Sequence, residues 1–131
     1  MDFSISKFPG AQFAITAYGP ISTNVAGRSI VANKPPLPPV EKQALHDTVQ
    51  PDIQLNSPVS PVFTVYSNND PVVPVINAYR LAGGIKKAGG SVEFHIFADA
   101  PYGFALDTPS LPVSNWPLPC EIWLKQNKWM E

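Results

Sequence analysis

Apolar residues fall along this chain in short runs of two different periods, and the alternation of those periods predicts strands separated by helices. Phe13-Ala14-Ile15-Thr16-Ala17-Tyr18 is apolar, partly β-branched and aromatic, and is bounded by Pro9-Gly10 and Gly19-Pro20. That is the pattern of a buried strand. Pro61-Val62-Phe63-Thr64-Val65-Tyr66 predicts a second strand, stopped by Ser67-Asn68-Asn69-Asp70, residue types whose side chains bond their own backbone in turns. Beyond Pro74, residues Ala78, Leu81, Ala82 and Ile85 repeat at i, i+3, i+4 and i+7, with Val75 one turn earlier. This spacing predicts an amphipathic helix ending at Ala88-Gly89-Gly90, with Gly83-Gly84 inside it at a cost of about 1 kcal/mol each against alanine. Residues 91–97 alternate Val92, Phe94 and Ile96 against Glu93, His95 and Phe97, a third strand with one face more polar than the other. Trp116, Leu118, Ile122, Trp123 and Leu124 predict the apolar face of a last helix, starting near Ser114 or Asn115 with Pro117 in its first turn.

The first two strands are separated by a long stretch that cannot extend either of them. Seven prolines lie from Pro35 to Pro61, interrupted by a run of helix formers at 40–46 that includes His46. The reading is a Pro-rich crossover at about 32–61 carrying one short helix, inside a single domain spanning 1–131. Strands separated by helices pair in parallel through right-handed crossovers. The expected fold class is therefore α/β, with a three-stranded parallel sheet and flanking helices.

Composition narrows the function classes. At 131 residues, 44% hydrophobic and 15% charged, the chain is long enough and apolar enough to bury a core. Its net charge is -1 and its lysines are scattered among acids, which argues against nucleic-acid binding. No apolar run approaches the length of a membrane span and no lipidation signal is present. Cys120 is the single cysteine, and with only His46 and His95 beside it no zinc-type spacing forms, so neither a metal nor an organic cofactor is implied. Met1-Asp2-Phe3-Ser4 begins no basic and apolar leader, so a cytoplasmic location is expected if Met1 is the true start.

Two short motifs carry candidate chemistry. Asp70 directly follows a predicted strand, so its carboxylate is expected at the carboxyl edge of the sheet, where open α/β sheets bind ligands. On local sequence alone it also fits a helix cap or turn aspartate. His95, within a strand, and His46, in the crossover, read as structural. Gly27-Arg28-Ser29 and Gly90-Ser91 lack the strand, sharp turn and helix of a nucleophile elbow, and the run from Gly83 to Gly90 lacks the order of a phosphate loop.

The stretch from Ser67 to Pro74, with Asp70-Pro71-Val72-Val73-Pro74 at its centre, resembles the turn after strand seven of α/β-hydrolases, written G-x-x-D-x-x-V-P. Residues 89–97 are similar to the lead-in and strand eight, and Pro101-Tyr102-Gly103-Phe104-Ala105-Leu106 resembles the H-G-F turn of that family. Trp116-Pro117 with Trp123-Leu124 resembles its final helix, and residues 13–22 its sixth strand. The likeness covers roughly 13–131 and is nearest to acetyl-esterase and acetylxylan-esterase-like carboxylic ester hydrolases. It implies a partial α/β-hydrolase fold made of the last three strands, with Asp70 at the triad acid position and a small ester as substrate.

The chain departs from the pattern at two points. Tyr102 stands where the family has its histidine, and a phenol, with an ordinary pKa of about 10, is a poor base near neutral pH. The serine elbow belongs before the sixth strand, where only residues 1–12 precede. The resemblance therefore implies an esterase-like C-terminal half that is inactive on its own. A non-catalytic binding or dimerisation module derived from the fold is the alternative, and an enzyme using another constellation of Asp70, Tyr102 and a serine is a third reading. The uncharged strand at 13–18 would have lost its usual neighbour, so it is expected to receive a partner, either a second copy or the missing N-terminal half.

Overall fold

The computed structural model describes residues 11–20, 55 and 59–131. The chain order is strand β1 (Ala14–Ala17), strand β2 (Val62–Ser67), helix α1 (Ile76–Lys87), strand β3 (Val92–Phe97), a 3-10 turn (Pro112–Asn115) and helix α2 (Pro117–Gln126). The crossover helix expected at 40–46, with His46, lies outside the described residues, as does most of the Pro-rich stretch. The strands form one parallel sheet in the order β1-β2-β3, with Ala14 opposite Val62 and Val62 opposite Val92. This is the predicted sheet, with strand ends within a residue or so of those read from the sequence.

Alternation along β2 divides the core into two layers. Val62 packs with Leu81 and Ile85, and Tyr66 with Val73 and Ala78, so α1 covers this face. Phe63 and Val65 point the other way, into a cluster with Ala100, Phe104, Val113, Cys120 and Trp123. All six residues of β2 are buried, as expected of a central parallel strand covered on both sides. The α1 stripe lies inward as its spacing predicts, with Ala78, Leu81, Ala82 and Ile85 all buried. Helix α1 ends in a Schellman motif: the Gly90 N–H donates to the Ile85 carbonyl at 2.9 Å and the Gly89 N–H to Lys86 at 3.0 Å. Gly89 has φ +79°, which explains a glycine at that position.

Helix α2 differs from its expected form. Its residue before the first turn is Trp116 and no side chain caps it; Ser114 and Asn115 belong to the preceding 3-10 turn. Its buried residues are Cys120 and Trp123, whereas Leu118 and Ile122 are 60% and 57% exposed. The inward face follows Trp116, Cys120 and Trp123 at i, i+4 and i+7, and Leu118 and Ile122 fall off that line. The helix closes with the Trp129 N–H on the Leu124 carbonyl and the Lys128 N–H on Lys125, both at 3.0 Å, with Lys128 at φ +61°. This turn holds Trp129 against Phe13 and Trp123, at ring separations of 4.8 and 5.1 Å, and so ties the end of the chain to β1.

Tyr66 ties β2 to the segment after β1 through one buried hydroxyl, which donates to the Gly19 carbonyl at 2.7 Å. Burial holds this phenol well above its ordinary value, and a side-chain hydrogen bond with Thr64 works weakly the other way. The native state therefore keeps a proton that the unfolded chain releases at a pH of about 10. The associated stability is complete below that pH and declines as pH rises above it. Tyr66→Phe is expected to cost about 1–2 kcal/mol at neutral pH and to reduce the alkaline loss of stability, read as urea midpoints near neutrality and above pH 10 or so.

Candidate functional site

Because the strands are parallel, their carboxyl ends share one edge of the sheet, and three loops leave from it: after β1 with Tyr18, after β2 with residues 68–75, and after β3 with residues 98–111. Both residues singled out by sequence lie in these loops, Asp70 three residues after β2 and Tyr102 five after β3.

Asp70 is 8% exposed. Its Oδ1 accepts the Val72 N–H at 2.7 Å and the Val73 N–H at 2.9 Å, so it organises the turn 70–73 that precedes α1 and does not cap the helix itself. Both prolines serve this geometry. Pro71 and Pro74 have no N–H to satisfy, and the Pro74 carbonyl receives the Asn77 backbone N–H at 3.0 Å and the Asn77 side-chain amide at 2.9 Å. The second carboxylate oxygen, Oδ2, is buried and has no hydrogen-bond partner among the described residues. An unpaired buried acceptor on a carboxylate costs more than a hydrogen bond returns, so it calls for a cause, and a catalytic or ligand partner is one such cause.

Tyr102 is 47% exposed and its ring meets Tyr18 edge-on at 5.5 Å. Tyr18 in turn packs edge-on against Phe104 at 4.7 Å. The structure puts Asp70 and Tyr102 on the same edge but joins them by no hydrogen bond, since Oδ1 is used by the backbone and Oδ2 is unpaired. Two non-glycine residues here have left-handed backbone, Tyr18 at φ +38° and Ala105 at φ +39°. Strained conformations of this kind cost of order 1–3 kcal/mol each and persist where surrounding contacts fix them.

Asn69, which the sequence reading took only as part of a turn, is the joint between the second and third loops. Its Oδ1 accepts from the Ser67 hydroxyl at 2.8 Å and from the Ala100 N–H at 3.1 Å, while its side-chain N–H donates to Asp99 at 2.6 Å. The Asn68 N–H adds a bond to the Phe97 carbonyl at 2.7 Å. The loop bearing Asp70 and the loop bearing Tyr102 are thus locked together immediately beside both residues. Asn69 next to an aspartate at a strand end was the available signal; its partners thirty residues away were not.

The other candidate groups are occupied elsewhere. His95 lies within β3 on the α2 side of the sheet, 3.0 Å from Glu93 and against the Phe63 ring at 5.3 Å. Burial pushes the Cys120 thiol up, which makes it a weak nucleophile. Among the described residues no three His, Cys, Asp or Glu side chains gather into a metal-binding group, and no helix is long and apolar enough to cross a membrane.

No protein-family profile and no curated protein matches the sequence. Solved structures do match. An acetyl ester-xyloside bifunctional hydrolase from Caldicellulosiruptor lactoaceticus superposes with TM-score 0.70 and 24% identity over 92% of this chain and 44% of its own. A carboxylesterase from Lactobacillus plantarum gives TM-score 0.71 at 17% identity over 92% and 46%, and a sugar hydrolase from Lactococcus lactis gives 0.67 at 20% over 88% and 48%. The chain spans less than half the length of each of these structures. The likeness at these identities is one of fold: the chain has a partial α/β-hydrolase fold, the C-terminal portion of the architecture found in esterases.

Proposed function

We propose that this chain provides the acid-bearing part of an ester-hydrolase site, with Asp70 as the acid, and that it does not turn over esters by itself. The observation that carries this reading is the Asp70 side chain: one oxygen holds its own loop, and the other is buried at the carboxyl edge with no donor among the described residues. In acyl transfer by a serine hydrolase, a carboxylate in that position accepts the N–H of an imidazole, fixes its tautomer and stabilises the imidazolium as serine attacks. Tyr102 offers no such base, and His95 is held by Glu93 within the sheet. Among the described residues no imidazole stands beside Asp70, so the acid acts only with a nucleophile and a base supplied from outside them. The substrate class is a small carboxylic ester, supported by the fold shared with esterases and by nothing more specific.

The test is hydrolysis of p-nitrophenyl acetate. The chain alone is expected to match the buffer background, with wild type and Asp70→Asn indistinguishable. Tyr102→His, co-expressed with the part of the Caldicellulosiruptor lactoaceticus hydrolase that this chain does not superpose on, is expected to show turnover that Asp70→Asn removes. Turnover by the unaccompanied chain, abolished by Asp70→Ala, would overturn the proposal in favour of a complete enzyme with another constellation. No turnover in the completed assembly would favour a non-catalytic binding module.

A further inference from the structure

Charge is divided along the strand axis of the described residues, and its negative side is the edge that holds the unpaired Asp70 oxygen. Because β2 and β3 are parallel, α1 starts at the carboxyl edge and returns to the amino edge, so Lys86 and Lys87 at its end stand at the amino edge. The Trp129 contact with Phe13, just ahead of β1, sets the end of α2, with Lys125 and Lys128, on that same side. Arg80, the remaining basic residue of α1, is already engaged in a contact. The three loops of the carboxyl edge carry Asp70, Asp99 and Asp107 and, among the described residues, no lysine, arginine or histidine. A cation is therefore drawn to this edge in preference to an anion. Two further observations give that cation a shape. Asp70 is 8% exposed, and since its Oδ1 is turned to the Val72 and Val73 N–H groups, Oδ2 is left on the other side of the carboxylate without a donor among the described residues. Folding has already stripped this oxygen of water, so an N–H placed against it meets little further desolvation. On the loop that Asn69 joins to this one stands Tyr102, its ring half exposed and edge-on to Tyr18 at 5.5 Å. An exposed phenol ring offers a cation its negative face.

We infer that the carboxyl edge binds a small guanidinium compound, with one N–H on Asp70 Oδ2 and the plane of the cation against the Tyr102 ring. This goes beyond the ester-hydrolase reading above: it uses the same oxygen but needs neither a nucleophile nor a base. A guanidinium is planar and weakly hydrated, stacks on aromatic faces and presents its N–H groups in a fixed fork. An ammonium is a strongly hydrated point charge, and loses more on entering a site that is already dry. Asp99 has one oxygen engaged, since its Oδ1 accepts from Asn69 at 2.6 Å, and Asp107 is exposed at the surface. These two carboxylates select for positive charge through their field, which salt screens, whereas Oδ2 and the Tyr102 ring select for shape.

The experiment titrates the full chain with methylguanidinium chloride and follows the ring proton resonances of Tyr102 and Tyr18. Saturable shifts at millimolar concentration are expected, weakened by added sodium chloride. Methylammonium chloride at equal ionic strength is expected to bind about threefold to fivefold more weakly. Asp70→Asn, which keeps an acceptor for the Val72 and Val73 N–H groups, is expected to weaken binding by about tenfold or more. Tyr102→Leu, at a half-exposed position, is expected to weaken it by about threefold, read from the Tyr18 ring and with unchanged circular dichroism. Absence of saturable shifts would overturn the inference, as would binding that Asp70→Asn leaves unaltered or that methylammonium matches. Blocked arginine, N-acetyl-arginine amide, separates a free guanidinium compound from an arginine side chain of a polypeptide. Binding no tighter than that of methylguanidinium supports a small ligand, and binding about tenfold tighter would overturn that choice and assign the site to a peptide. Guanidinium binding without ester turnover in the completed assembly would leave this site standing and overturn the hydrolase reading. Turnover there without guanidinium binding would do the reverse, so the two failures are distinguishable.

Discussion

Trp123→Ala is expected to remove about 3–5 kcal/mol of stability, a large share of the ~5–15 kcal/mol typical of a domain this size. The indole is 4% exposed and is the hub of the layer beneath α2, with ring separations of 5.6 Å to Phe63, 5.8 Å to Phe13 and 5.1 Å to Trp129. Its loss would open a cavity that rigid neighbours from three separate segments of the chain cannot jointly refill. It would also release the Trp129 closure that ties the chain end to β1. The control lies on the same helix: Leu118→Ala, at an exposed position, is expected to change stability by no more than about 0.5 kcal/mol. Urea unfolding followed by circular dichroism measures both. A cost for Leu118→Ala approaching that of Trp123→Ala would show that the outer face of α2 is covered in solution.

That pair of substitutions also marks where sequence reading succeeded and where it stopped. The sheet and α1 were legible because their burial is written in the sequence: β2 is mostly β-branched and aromatic, and the α1 stripe from Ala78 to Ile85 has few competing apolar residues. In α2 nearly every position from Trp116 to Leu124 is apolar or small, so several faces look equally inward. The structure picks Trp116, Cys120 and Trp123, anchored by the Trp116 indole N–H on the Ala105 carbonyl at 2.7 Å. Nothing local in the sequence announces that bond. At the site, Asp70 and Tyr102 were legible as motif positions after strands, and they lie in the loops that follow β2 and β3. The Asn69 joint and the unpaired Oδ2 were not, because satisfaction of a polar atom depends on groups that the fold brings from distant segments.

Asp70 offers the second large effect, because two substitutions separate its two oxygens. Asp70→Ala strips the acceptor from the Val72 and Val73 N–H groups and is expected to cost about 1–3 kcal/mol, since the turn keeps its shape only by leaving donors unpaired or admitting water. Asp70→Asn keeps a carbonyl oxygen for both N–H groups and exchanges the lone Oδ2 for an amide, so its stability should stay within about 1 kcal/mol of wild type. In the completed assembly carrying Tyr102→His the order reverses in significance. There the asparagine cannot stabilise an imidazolium and would favour the wrong imidazole tautomer, so turnover is expected to fall by about 10⁴-fold despite an intact turn. A variant that folds normally yet loses turnover on this scale places the functional demand on Oδ2. If Asp70→Asn instead lost stability as Asp70→Ala does and left turnover unchanged, Asp70 would be a turn residue only, and its buried free oxygen a tolerated cost of the loop.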